Sequence, residues 1–272
     1  MKSLLVQLDG TARCAVRLQL ATELARRHGS RLTALFASTP PLMDFPFAYT
    51  AETVPVQALE DLHLARRERA MSTFRTYALG AEAAWTELGV ESVVRGVAAQ
   101  ALYADLMLLG QHDPQAPARE LPADFVPSVM QASGRPALVV PHSGRFEAVG
   151  GRVLVAWKPS AESARALRAA LPLLRMAQQV TVVQWGHVPP ANHGQALDID
   201  IYLRLHGVTA TFQRHTETPV GIGELLLSRA ADLGADLLVM GCYGHSRARE
   251  FLLGGATRTV LDSMTIPVLM SH

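Results

Sequence analysis

Short, almost wholly apolar runs alternate along this chain with longer stretches in which apolar residues recur at helical spacing. In the first half the apolar runs fall at 4–8, 31–37, 83–88, 106–109 and 137–140. Runs of that length with few polar breaks are those of strands covered on both faces. Between them, 11–28, closed by Gly29, and 90–103 read as amphipathic helices, with a shorter one around 125–132. The Pro-rich stretch 39–55 is expected as a loop, and 56–78 (VQALEDLHLARRERAMSTFRTYA) as a long, charged surface helix. The second half repeats the plan more tightly. Strands are expected at 153–157, 180–185, 209–215, 237–240 and 268–270. Helices are expected at 161–177, capped by Ser160, at 197–205, at 222–233 and from about Ala256. Such alternation predicts an α/β fold: two repeated open, mainly parallel five-stranded sheets flanked by helices, related by an approximate twofold.

The repeat is visible in the residues themselves. ADLMLLG ends at Gly110 and ADLLVMG at Gly241, an offset of 131, and Pro136 in GRPALVV and Pro267 in TIPVLM stand at the same offset. The opening strands align Val6 with Val155 and Asp9 with Lys158, an offset of 149. The first half therefore carries about 18 extra residues, which the charged 56–78 helix accommodates. The boundary is expected near 143–151, dividing the chain into 1–146 and 147–272.

The stretch with the most chemical content is 237–261, LLVMGCYGHSRAREFLLGGATRTVL. An apolar strand ends in Gly241, Gly244 follows, and Gly254 and Gly255 open an amphipathic segment. Glycines at a strand–loop–helix junction let a ligand approach the backbone, and the unpaired N–H groups of the helix start favour an anion. A phosphate is the natural guest, with Ser246 and Thr257 as hydroxyl donors and Arg247, Arg249 or Arg258 as cations. The spacing is neither the Walker pattern nor the dinucleotide fingerprint.

Gly241, two residues, Gly244, nine residues and Gly254 resemble the nucleotide loop of the universal stress protein family. That family places Ser or Thr after the last glycine, where this chain has Gly255 and brings its hydroxyl at Thr257. The resemblance extends over nearly the whole chain as two copies of the family's domain. It implies a universal-stress-protein, adenine-nucleotide alpha-hydrolase-like fold and a stress-response protein that binds ATP or another adenine nucleotide, at one site per chain. Gly241, Gly244, His245, Ser246, Arg247, Gly254, Gly255, Ala256 and Thr257 would line the phosphates, with Trp157 and Lys158 on the nucleoside side. The family commonly has Asp where Lys158 stands. Separate domains of the family commonly dimerise through their last strand, so 137–140 and 268–270 are expected to pair within this chain, and a homodimer is a further option.

In the first half Asp9, Gly10 and Thr11 follow the opening strand, but the later loop runs Gly110, Gln111, His112, Asp113, Pro114 and then Pro117, without the later glycines. Prolines remove amide donors and Asp113 repels a phosphate, so this half is expected to bind no nucleotide in the family manner. Asp9 then reads as a residue that ends a strand and caps a helix.

Composition narrows the field further. A net charge of +1, from 25 basic and 24 acidic residues, gives no broad field for nucleic acid or an anionic membrane. No stretch approaches the ~20 apolar residues of a membrane span, and the apolar run in MKSLLVQLDG is too short for a signal peptide. The protein is expected in the cytoplasm, where the two cysteines, Cys14 and Cys242, stay reduced. Cys242, inside the glycine loop, reads as a small packing residue or as a redox-sensitive thiol. His187, His193, Asp198 and Asp200 gather in one loop without the spacing of a familiar metal site, and no metal is expected beyond Mg carried by a nucleotide. His142 and His272 follow the two last strands at equivalent places. No HxGH pair, SGGxDS loop or GxSxG elbow is present. A regulatory nucleotide binder is therefore expected, with a slow ATP hydrolase or a nucleotide-free interaction scaffold as alternatives.

Overall fold

A computed structural model describes residues 1–40, 56–89, 92–116, 120–186, 198–216, 220–243 and 255–272. The chain divides into two compact units, one of residues 1–135 with 144–147 and one of residues 136–143 with 148–272.

The first unit contains β1 (Ser3–Leu8), α1 (Arg13–His28), β2 (Arg31–Phe36), α2 (Val56–Tyr77), β3 (Ala83–Glu87), α3 (Val93–Ala101), β4 (Leu106–Gly110) and α4 (Phe125–Ser133). Its strands lie in the order β3-β2-β1-β4, all parallel. Leu4, Val6, Leu8, Leu106, Met107 and Leu108 are fully buried, as strands covered on both faces require. Gly29 ends α1 at φ 57°, where a side chain would be strained, and Arg26, Arg27 and His28 face the negative end of the helix dipole. The helix starts at Arg13 rather than at 11, because Thr11 is taken up by a turn with Asp9. Helix α2 lies against α1 and β2 and closes over an aromatic group of Phe36, His63, Phe74 and Trp85.

The second unit contains β5 (Ala137–Val140), β6 (Arg152–Ala156), α5 (Ala161–Leu174), β7 (Gln179–Trp185), α6 (Ile199–Leu205), β8 (Thr211–His215), α7 (Ile222–Asp232), β9 (Leu237–Gly241), α8 (Ala256–Ser263) and β10 (Val268–Ser271). Its strand order is β5-β10-β9-β6-β7-β8. All pairs are parallel except β5 with β10, which run antiparallel with Val268 opposite Val139 and Met270 opposite Ala137. Each sequence half supplies five strands, as expected; β5, the last of the first half, is grouped with the second unit. A four-residue strand buried at every position takes its partners from whatever edge is left open, and β10 offers one.

The central strand pair has the same register in both units. Leu4 faces Leu106 and Val6 faces Leu108, while Val153 faces Leu237 and Val155 faces Val239, reproducing the offsets of 149 and 131. The Asp of the repeated Ala-Asp pair explains part of this. Asp105 accepts from the amides of Lys2 and Ser3, and Asp236 accepts from those of Gly150, Gly151 and Arg152 at 2.8, 2.9 and 3.2 Å. Each aspartate satisfies the amides that enter the opening strand and so pins that strand beside its neighbour.

Candidate functional site

In open parallel sheets ligands settle beyond the C-terminal strand ends. In the second unit, that edge is formed by the ends of β6 and β9 and the first turns of α5 and α8. Gly241 ends β9, and a Cβ placed on it would lie 2.5 Å from the Ser163 nitrogen and 2.7 Å from the Glu162 carbonyl carbon. The start of α5 therefore rests directly on this glycine. Ser160 caps α5, accepting from the Ser163 amide at 3.3 Å. The Glu162 backbone amide, and then the Ser160 hydroxyl, hold the Glu162 carboxyl below the usual range.

The next residues run from β9 toward α8. The Cys242 amide donates to the Ser271 carbonyl at 3.0 Å, and the cysteine is 1% exposed, which fits the packing role rather than that of an accessible thiol. Tyr243 has φ 57°, the only positive φ outside glycine among the described residues. Strain of this kind persists where surrounding contacts fix it and clusters at ligand sites. Its amide donates to the buried Thr257 hydroxyl at 3.4 Å, and its ring meets His272 edge-on at 6.3 Å. Gly255 is the N-cap of α8 and makes no side-chain cap. The leading amides of a helix have no carbonyl within it to bond, so this end keeps donor capacity.

Of the expected site residues, Gly241, Gly255, Ala256 and Thr257 come together here, while Trp157 and Lys158 follow β6, the neighbour of β9. The Trp157 amide donates to the Val183 carbonyl, and the Lys158 side chain is exposed. Gly244, His245, Ser246, Arg247, Arg249 and Gly254 lie outside the described residues. Thr257 ties Tyr243 to α8 instead of standing open, and Arg258 pairs with Asp262 at 3.5 Å. Tyr243 escaped the sequence reading, since nothing in a residue between glycines announces a left-handed backbone.

Two members of the loop cluster, Asp198 and Asp200, have partners of their own. Asp198 caps α6, accepting from the Ile201 amide at 2.8 Å, and Asp200 within that helix pairs with Arg204 at 3.0 Å. His187 and His193 are outside the described residues. No group of three metal-ligating side chains occurs among the described residues. His272 points its Nδ1 at the Cys242 carbonyl, 3.4 Å away, so its surroundings belong to the loop.

The first unit fills the corresponding place with its own side chains. Asp9 is buried and paired with Arg17, and it accepts from the Thr11 amide at 3.0 Å; the N-cap position of α1 is Ala12, so Asp9 is no helix cap. Arg17 also donates from Nε to the Gln7 carbonyl at 3.1 Å, and its Nη1 would be 2.6 Å from a Cβ on Gly110. At the corresponding offset the second unit has Ala166. Asp113 accepts from the Gln115 amide in a local turn. Arg17 gave no sequence signal, because its partner lies eight positions back, across a strand–helix junction.

Comparison with known proteins fits this geometry. Residues 151–272 match the universal stress protein family and form a domain of that family. A universal stress protein of Synechocystis sp. is 43% identical over 61 residues, which is 22% of this chain and 21% of that protein. The matched segment thus spans about a fifth of that relative's length. Among solved structures, a universal stress protein from Archaeoglobus fulgidus superposes with a TM-score of 0.72 at 14% identity, covering 98% of this chain and 94% of that one. A functionally unknown protein from Pseudomonas aeruginosa gives 0.58 at 18% identity, covering 99% and 92%. At such identities the structural likeness concerns the fold.

Proposed function

We propose that this protein is a cytoplasmic stress-response protein that binds ATP or a related adenine nucleotide in its C-terminal unit, at one site per chain, and acts by regulation rather than as a dedicated catalyst. The observation that carries this reading is the junction of β9 and α8. A glycine packed on α5, a left-handed Tyr243 and a helix start capped by a glycine lie together where residues 151–272 match the family. Backbone amides at a helix start bind phosphate without needing a basic side chain at each oxygen. Gly244 to Arg247 and Gly254 to Thr257 would line the phosphates, with Trp157 and Lys158 toward the nucleoside and Mg entering with the nucleotide. The Asp9–Arg17 pair supports a first unit that holds none. Within the second unit, the antiparallel register of β5 on β10 supports the proposed use of these last strands as pairing edges. No helix among the described residues is long and apolar enough to cross a membrane.

Isothermal titration with Mg-ATP tests the reading. One site per chain is expected, with binding abolished in Gly244→Asp and unchanged in Asp113→Ala. Two sites, or unchanged binding in Gly244→Asp, would overturn it. A second reading, an interaction scaffold without nucleotide, is favoured by Lys158 and Gly255 standing where the family has Asp and a hydroxyl. Absence of binding by the parent protein would select it.

A further inference from the structure

Beyond the nucleotide reading, the first unit holds a buried carboxylate in a seat of its own. Glu120 is 5% exposed, and its carboxylate accepts from the Gly10 amide at 2.7 Å and from the Ser38 hydroxyl at 3.3 Å. Its other oxygen lies 3.7 Å from Nε of Arg66, itself only 4% exposed. Gly10 follows β1, Ser38 follows β2, and Arg66 comes from α2, which belongs to the extra length of the first half. In the same sequence interval of the second unit the described residues form the shorter, seven-residue α6.

The fit of Glu120 in this seat is incomplete. Its backbone is fixed because its carbonyl accepts from the Thr39 amide at 2.7 Å, and Arg66 is fixed because Nη1 donates to the Thr39 carbonyl at 3.1 Å. Between these tethers Arg66 Nε is buried without a hydrogen bond. A buried guanidinium donor left unpaired is costly, and a carboxylate free to translate can approach it more closely than one on a tether. Charge sets the class of occupant. Arg17 is matched by Asp9, so Arg66 stands against one carboxylate, with Arg69 bonding the Gly10 carbonyl nearby. Burial, and beside it Asp9, push the Glu120 carboxyl up against the pull of the Gly10 amide and Arg66, so the site tolerates one negative charge and opposes a second. A monoanion is matched, whereas a dianion such as sulfate is opposed by Asp9.

We propose that the Gly10–Ser38–Arg66 cluster is a binding site for a small monocarboxylate, occupied in the native chain by the protein's own Glu120. Glu120→Ala vacates the site. At neutral pH, sodium acetate is expected to raise the thermal midpoint of Glu120→Ala by about 3 °C or more over sodium chloride of equal ionic strength. The unsubstituted protein should respond alike to both salts, sodium sulfate should not replace acetate, and Glu120→Ala/Arg66→Met should lose the acetate response. An acetate response that is absent from Glu120→Ala, equal in the unsubstituted protein, kept in the double variant or reproduced by sulfate overturns the proposal. If Glu120→Ala does not fold in chloride, it is refolded from urea in each salt. Recovery in acetate alone supports the site, and recovery in neither overturns it.

Discussion

Gly110 and Gly241 occupy corresponding positions in the repeat but are needed for different reasons. A side chain at Gly241 would strike the backbone of α5, which cannot move without lifting a helix off the sheet. At Gly110 it would strike the tip of Arg17, which can shift at the cost of its bond to Asp9. Gly241→Ala is therefore expected to lose about 2–4 kcal/mol and Gly110→Ala about half as much. Urea unfolding of the two variants measures this, and the reverse order would refute the packing argument. Burial also governs Cys14, whose thiol is pushed up to about 12. At pH 8 it should resist iodoacetamide in the native protein and react on unfolding, as mass spectrometry of the alkylated chain would reveal. The glycines were legible in the sequence because punctuation after an apolar run is a local signal. The ion pair beside Gly110 was not, since it depends on a helix folding back over a strand end.

At the scale of elements, the two repeated aspartates join sequence to topology. Asp236 receives three amides at the entry to β6, so Asp236→Ala is expected to cost about 2–3 kcal/mol in urea unfolding at neutral pH, with Asp236→Asn intermediate. Asp105 adds a pH dependence. The Lys2 amide and then the Ser3 amide hold its carboxyl below the usual range, so its stabilising effect is present above the unfolded value of about 4 and is lost as pH falls through the lower folded value. The stability difference between the parent and Asp105→Asn should be full at pH 6 and vanish toward pH 2. A difference constant across that range would mean the aspartate acts by shape alone. The alternation of strand and helix, and most ends to within three residues, could be read from apolar period and caps. The partner of β5 comes from the family resemblance and not from the strand itself, because four apolar residues define a buried strand without naming its neighbour. In the sequence Asp198 reads both as a member of a loop cluster and as part of the helix expected at 197–205; the structure makes it the cap of α6, one residue inside the expected start.

At the scale of the molecule, one duplicated plan has produced one unit with a buried ion pair after its opening strand and one with Lys158 and Ala166 at the equivalent positions. The contrast rests on two positions. Asp9 and Arg17 in the first unit correspond to Lys158 and Ala166 in the second, where Ala166 is 1% exposed. If that pair is what closes the first unit, moving it should close the second. Lys158→Asp alone supplies an acceptor on the nucleoside side and should strengthen ATP binding by about 1 kcal/mol, roughly fivefold in Kd. Lys158→Asp/Ala166→Arg should pair internally as Asp9 does with Arg17 and abolish binding, while the pairing spares the protein an unmatched buried cation. Titration calorimetry of both variants, with thermal unfolding to confirm that each is folded, measures this. ATP binding retained by a folded double variant would show that the closed state of the first unit comes from its Pro114 and Asp113 loop and not from the ion pair.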